Sequence, residues 1–175
     1  TRSRFRLHLG TREGPVVAAL LDRDALEPGG WAYAQLRSPE AFIACPGDRF
    51  VLRSYSPART VGGGKVLDPA PQRHKGKKPG VTETLSVLDK GEPAERLGAF
   101  LSLRAGAGLT PPEAQMLLNV TLEQSRNLLQ AAVRSGAALV TDRKAQRHVA
   151  ASFVEELSDR AVEILDRFHA EHPLK

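Results

Sequence analysis

Along the first 67 residues the apolar positions recur either at every second residue or in short unbroken runs, and turn residues separate the runs at close intervals. Arg4-Phe5-Arg6-Leu7-His8-Leu9 puts Phe5, Leu7 and Leu9 on one face of a strand and Arg4, Arg6 and His8 on the other, with Gly10 as its stop. Val16 to Leu21 is nearly continuous apolar sequence, and Glu27-Pro28-Gly29-Gly30 reads as a turn. Trp31 to Arg37 alternates again. Ala41 to Cys45, the turn Pro46-Gly47-Asp48, Arg49 to Arg53, a loop containing Pro57, and Thr60 to Leu67 complete the series. Six or so short strands with no helix between them predict a small, closed antiparallel β-barrel over residues 1–70.

Residues 68–80 hold three prolines and no apolar period, so a Pro/Lys-rich linker is placed at 71–80 and a second domain at 81–175. There the period becomes helical. Pro93 to Arg104 brings Leu97, Phe100, Leu101 and Leu103 within helical reach of one another. Thr110-Pro111-Pro112-Glu113 and Thr121-Leu122-Glu123-Gln124 both have capping-box spacing, and with Val120 alone between the two helices the pair has helix-turn-helix spacing. Gly136 stops the second helix. Ala138 to Val140, the turn Asp142-Arg143-Lys144 and Gln146 to Val149 predict a hairpin, which makes the domain a winged helix. Ser152 to Glu155 has cap spacing for a long last helix with Phe153, Leu157, Ala161, Ile164, Leu165 and Phe168 on one face, ending before Pro173.

Only nine of the 175 residues are aromatic, so Leu, Val and Ala must fill most of the core and stacking on exposed bases is not the main resource. The net charge of +5 is unevenly spread: residues 1–80 hold 14 Lys/Arg against 7 Asp/Glu, residues 81–175 hold 11 against 13. The first half carries the positive field to which a polyphosphate responds. One cysteine, Cys45, excludes an internal disulfide and fits a reducing compartment. No apolar run nears the roughly 20 residues that span a bilayer, and the N-terminus lacks a signal-peptide pattern. A cytoplasmic, monomeric protein away from membranes is expected. Thr1 in place of methionine, with Met116 the sole methionine, is expected of a chain cut from a longer one.

Candidate chemistry is sparse. The five histidines do not cluster, and His169 with His172 lacks a third ligand, so no metal site is expected. Gly62-Gly63-Gly64-Lys65 lacks the phosphate-loop spacing and is followed by strand-forming Val66-Leu67, so a glycine-permitted close strand approach is the better reading. With no paired carboxylates, Ser-His-Asp order or Cys-His spacing, no catalytic residue is assigned. The basic run containing Arg73, Lys75, Lys77 and Lys78 either contacts phosphates or is a solvated linker. In the winged helix, Gln124, Asn127 and Arg134, with Arg143 and Lys144 of the wing, are the candidates for nucleic-acid contact; a spacer or protein-contact role is equally compatible with them.

The run Cys45-Pro46-Gly47-Asp48-Arg49-Phe50-Val51-Leu52-Arg53 through Arg59-Thr60-Val61-Gly62-Gly63-Gly64 resembles the end of the third domain of translational GTPases: a Pro-Gly-Asp turn, an Arg-Phe strand, an Arg-led loop and Arg-Thr-Val-Gly-x-Gly. The longer Ser54-Tyr55-Ser56-Pro57 loop, Leu7-His8-Leu9-Gly10-Thr11 and Gly64-Lys65-Val66-Leu67-Asp68-Pro69 resemble the selenocysteine-specific elongation factors (SelB), as do Gly108-Leu109-Thr110 and the closing Phe168-His169-Ala170-Glu171-His172-Pro173-Leu174 with the first winged helix of the bacterial members. That resemblance implies a third-domain barrel plus a first winged helix from inside a GTP-dependent factor. Such a factor delivers selenocysteinyl-tRNA to the ribosome at recoded UGA codons and reads an mRNA hairpin through more distal winged helices. GTP and Mg would belong to a GTPase domain outside these residues, leaving this segment non-enzymatic and without cofactor. It also implies tRNA contact by Arg53, Ser54, Tyr55 and Arg59, although Tyr55 could simply cover the barrel end. The alternative from another class is a DNA-binding winged-helix regulator, and a third is a protein-interaction module.

Overall fold

In the computed structural model, which describes residues 2–72 and 80–172, the alternation at the N-terminus becomes β1 (Arg2–Leu9) and the run after Gly10 becomes β2 (Arg12–Leu20). Gly10 itself turns the chain at φ 58°. With β3 (Ala34–Arg37), β4 (Arg49–Arg53) and β5 (Thr60–Lys65) they form one antiparallel sheet in the order β3-β2-β1-β4-β5. The sheet curls into a half-barrel around its apolar face. Phe5 stands opposite Val16, Leu7 opposite Leu52 and Leu9 opposite Phe50. Leu7, Leu9 and Val16 are buried, with Phe5, Leu36, Phe42, Ala44, Phe50, Leu52 and Val66 packed on them. The residues expected to point out, Arg4, Arg6 and His8, do so as the period of two requires.

Two segments differ from the sequence expectation. Ala41 to Cys45 is not a strand: at its end Cys45 N donates to the Asp48 carboxylate at 2.8 Å and not to a neighbouring strand, and just before it the Glu40 side chain pairs with Arg12 at 3.2 Å. Of Trp31 to Arg37 only the last four residues are strand. Tyr33 O still accepts from Leu21 N at 3.0 Å, but the Trp31 ring leans on Tyr33 edge-on and stays exposed.

The compact division of the chain falls between Glu92 and Pro93, not at residue 81. A helix absent from the sequence reading, α1 (Val81–Lys90), belongs with the barrel: Asp89 Oδ1 pairs with Lys65 Nζ at 2.5 Å, and Lys90 Nζ lies 5.9 Å from the Trp31 ring centre.

The second unit follows the expected order closely. It comprises α2 (Pro93–Arg104), a 3-10 turn at Ala105–Ala107, α3 (Pro111–Leu118), α4 (Leu122–Arg134), the hairpin β6 (Ala138–Asp142) and β7 (Arg147–Ala150), and α5 (Ala151–Glu171). Leu97, Phe100 and Leu101 of α2 enter a core shared with Leu117, Leu118, Leu129 and Val149. The helix-turn-helix junction is fixed chemically. Gln124 N donates to Thr121 Oγ1 at 3.1 Å and Thr121 N to Gln124 Oε1 at 2.9 Å, a complete capping box. Buried Ser125 donates to Pro111 O at 2.9 Å, tying α4 to the start of α3. Leu109 adds an isolated bridge to β7 by exchanging two 2.8 Å backbone bonds with His148.

The cap expected at Ser152 does not form. β7 runs to Ala150, Ala151 N donates to Ala137 O, and the helix is already under way when Ser152 is reached. The apolar stripe of α5 is also not a core face among the described residues: Leu157, Ile164, Leu165 and Phe168 are each about half exposed. No helix among the described residues is long and apolar enough to cross a membrane.

Candidate nucleic-acid interface

β4 ends in an irregularity. The β4–β5 register shifts between Leu52 and Arg53, so that Arg53 faces Thr60, and a bulge of this kind re-aims the side chain beside it. The loop that follows is held by Ser54: its hydroxyl donates to Pro57 O at 2.5 Å, its backbone N to Arg59 O at 2.9 Å, and Arg59 N donates back to Ser54 Oγ at 3.3 Å. Ser54 therefore shapes the loop, and its hydroxyl faces the loop backbone. Tyr55 and Arg59 are exposed on the loop. Arg53 is half-buried, with its Nε out of solvent and without a hydrogen-bond partner.

Strand pairing brings in a residue that the sequence did not single out. Arg6 of β1 stands directly opposite Arg53 of β4, and its guanidinium carbon lies 5.5 Å from the Tyr55 ring centre, within cation–π range. Arg6 belongs to the same outward row as Arg4, and Arg49 shares the outward face of β4 with Arg53. The result is a cationic surface with one aromatic ring set in it, built on β1, β4 and the loop that Ser54 holds.

In the second unit the candidates are more dispersed. Asn127 and Arg134 are exposed along α4, and Arg143 and Lys144 at the hairpin tip, where Asp142 Oδ1 accepts from Lys144 N at 2.8 Å. Gln124 is also exposed, but its side-chain oxygen is committed to Thr121 N. Arg147 of the wing donates to Ala107 O at 2.6 Å, so it serves the fold. Arg73, Lys75, Lys77 and Lys78 lie outside the described residues. Gly62 to Lys65 is strand, with Gly64 so close to the Phe50 ring that a Cβ there would stand 2.6 Å from Phe50 Cζ; it is the close strand approach expected. Among the described residues no group of His, Cys, Asp and Glu could hold a metal ion.

Residues 2–73, which contain the whole cationic surface, match the family model for the β-barrel domain of the selenocysteine-specific elongation factor. The chain belongs to the selenocysteine-specific elongation factor family. Over 174 residues it is 32% identical to the selenocysteine-specific elongation factor of Desulfomicrobium baculatum, an alignment covering 99% of this chain and 27% of that protein. The chain thus spans about a quarter of the length of this relative and reaches through both units. The family match falls on a barrel domain and not on a nucleotide-binding one. In a selenocysteine-factor barrel of this build, Arg4 and Arg6 belong to the candidate surface together with Arg53, Tyr55 and Arg59. The signal for them was the outward half of the β1 alternation; placing it beside the Arg53 loop required the β1–β4 register.

Proposed function

We propose that the barrel forms part of the grip on selenocysteinyl-tRNA in a GTP-dependent delivery factor, and that the winged helix connects this grip to a module reading an mRNA hairpin at recoded UGA codons. GTP and Mg would be handled by residues outside this chain. The observation that carries the reading is the cluster of Arg6, Arg53 and Tyr55 on one face of the family's barrel, with Arg59 exposed on the loop that follows. Guanidinium groups suit phosphate oxygens because their planar donors pair with two oxygens at once, and Tyr55 offers a flat surface to a sugar or base. Ser54 acts by holding the loop that presents the others. The winged helix fits RNA or DNA reading less well, since the side-chain oxygen of Gln124 serves its own helix cap and the half of the chain that contains it has no excess of positive charge.

Three arginines neutralising phosphates give a log–log salt dependence of binding with a slope of roughly −2 to −3. Binding of the 175-residue chain to selenocysteine tRNA and to duplex DNA over a salt series tests this. Arg53→Ala and Arg59→Ala should each weaken tRNA binding about five- to tenfold and flatten the slope by roughly one. Tighter, sequence-dependent binding to DNA that is indifferent to these two changes and lost with Asn127→Ala would instead make the winged helix the reader.

A further inference from the structure

Arg6 already holds an anion. Its Nη1 lies 2.7 Å from Glu13 Oε1, and the other carboxylate oxygen, Oε2, lies 3.5 Å from His8 Nδ1. The register explains the arrangement: Glu13 of β2 is directly opposite His8 and one outward position away from Arg6. A single carboxylate thus offers its two oxygens to two neighbouring nitrogen groups, as the two free oxygens of a backbone phosphate would.

On its other side Arg6 faces Arg53 across the β1–β4 pair and rests against Tyr55. Like charges directly opposite in a sheet repel, so a counter-charge at Glu13 relieves the free protein. All three side chains reach solvent, with 46% of Arg6, 51% of Glu13 and 29% of His8 exposed. An ion pair of this exposure is weak, and a polyanion can displace the carboxylate.

We propose that Glu13 is a resident competitor for RNA phosphate on the Arg6–Tyr55–Arg53 surface, holding the cationic row below its full affinity so that only an RNA also engaging the Arg53–Arg59 loop displaces it. The inference rests on the reading of that loop as a tRNA contact. It goes beyond it by assigning an opposing role to an acidic residue.

The test uses the 175-residue chain and selenocysteine tRNA at low salt, comparing wild type, Glu13→Gln, Glu13→Ser, Arg6→Ala and the Arg6→Ala/Glu13→Gln double variant, with Trp31 fluorescence melts reporting the barrel. Glu40→Gln removes the same charge from a carboxylate that pairs with Arg12 instead, and so controls for net charge. Glu13→Gln and Glu13→Ser should tighten binding about three- to tenfold, with the gain shrinking as salt rises and vanishing when Arg6 is absent. Glu40→Gln should gain less than twofold. Equal or weaker binding in both Glu13 variants, a gain that survives Arg6→Ala, or an equal gain in Glu40→Gln overturns the proposal while Arg53→Ala and Arg59→Ala still show the loop contact. If those two also bind as wild type does, the loop reading itself has failed and the competitor role with it.

Discussion

Gly108→Ala should be among the most damaging single-methyl additions in the second unit, and its cost can be worked from the geometry. Gly108 sits at φ 57°, ψ −164°, a region essentially reserved for glycine, where another residue costs about 1–3 kcal/mol. A Cβ there would also lie 2.3 Å from His148 O and 2.8 Å from Val149 Cγ1. Restoring an ordinary separation requires the His148 carbonyl to retreat by roughly an ångström. That carbonyl accepts from Leu109 N at 2.8 Å, and His148 N donates to Leu109 O at 2.8 Å, so the retreat loosens both bonds of the rung that joins the helices to the wing. At about 1 kcal/mol each, these losses bring the total to about 3–5 kcal/mol. Gly136 supplies the control. It too is left-handed, at φ 78°, but a Cβ there meets nothing within 4 Å, so Gly136→Ala should cost only about 1–2 kcal/mol.

Since 1 kcal/mol moves the melting temperature of a domain of this size by about 4–8 °C, Gly108→Ala should lower that of the second unit by about 12 °C or more and Gly136→Ala by about 4–16 °C, with Gly108→Ala clearly the lower of the two. Far-UV circular dichroism reads the helices, most of which lie in that unit, while Trp31 fluorescence follows the barrel and should not move. Equal depressions in the two variants would refute the close-approach argument and leave only the backbone conformation.

Ser125→Ala removes a buried hydroxyl that lies within bonding distance of Pro111 O and Leu122 O, at 2.9 and 2.8 Å; losing this bond should cost about 1 kcal/mol by urea denaturation of the second unit, and a cost near zero would remove Ser125 as the tie between α3 and α4. Gly64→Ala forces the Phe50 ring off β5 and should destabilise the barrel by about 1–3 kcal/mol on the Trp31 signal, whereas Gly62→Ala, with no atom within 4 Å of its Cβ, should be nearly neutral.

The second unit was more legible in the sequence than the first. Its helices carry local signals that need no tertiary knowledge: the Thr121–Gln124 box, Pro at the start of α2 and α3, and Gly136 at the stop of α4 act within four residues of one another. Where a local signal failed, longer-range bonding had pre-empted it, as when the Ala151–Ala137 bond started α5 before the Ser152 cap could form. Helix α1 was missed because its helical spacing rests on Val81, Leu85 and Leu88 alone, directly behind a proline-rich stretch, and because part of what holds it is an ion pair to Lys65, distant in sequence. In the barrel the inward residues were legible from alternation, but Ala41 to Cys45 shows that an apolar run makes a strand only where a partner strand is free to bond it. The candidate surface divides in the same way. Arg53, Tyr55 and Arg59 lie together in sequence and were accessible from it, whereas Arg6 and Glu13 join them only through the β1–β4 and β1–β2 registers, which no local pattern specifies. Gln124 is the converse case: its exposed position suggested a reader, and its own capping box claims its oxygen.

If the barrel face and not the winged helix meets the tRNA, backbone hydrogen exchange of the 175-residue chain with and without selenocysteine tRNA should locate the contact. Added protection should be confined to the loop from Arg53 to Thr60 and the neighbouring stretch of β1, with α4 and the β6–β7 hairpin unchanged. Protection centred on α4 and the hairpin, with the Arg53–Arg59 loop exchanging as in the free protein, would contradict it.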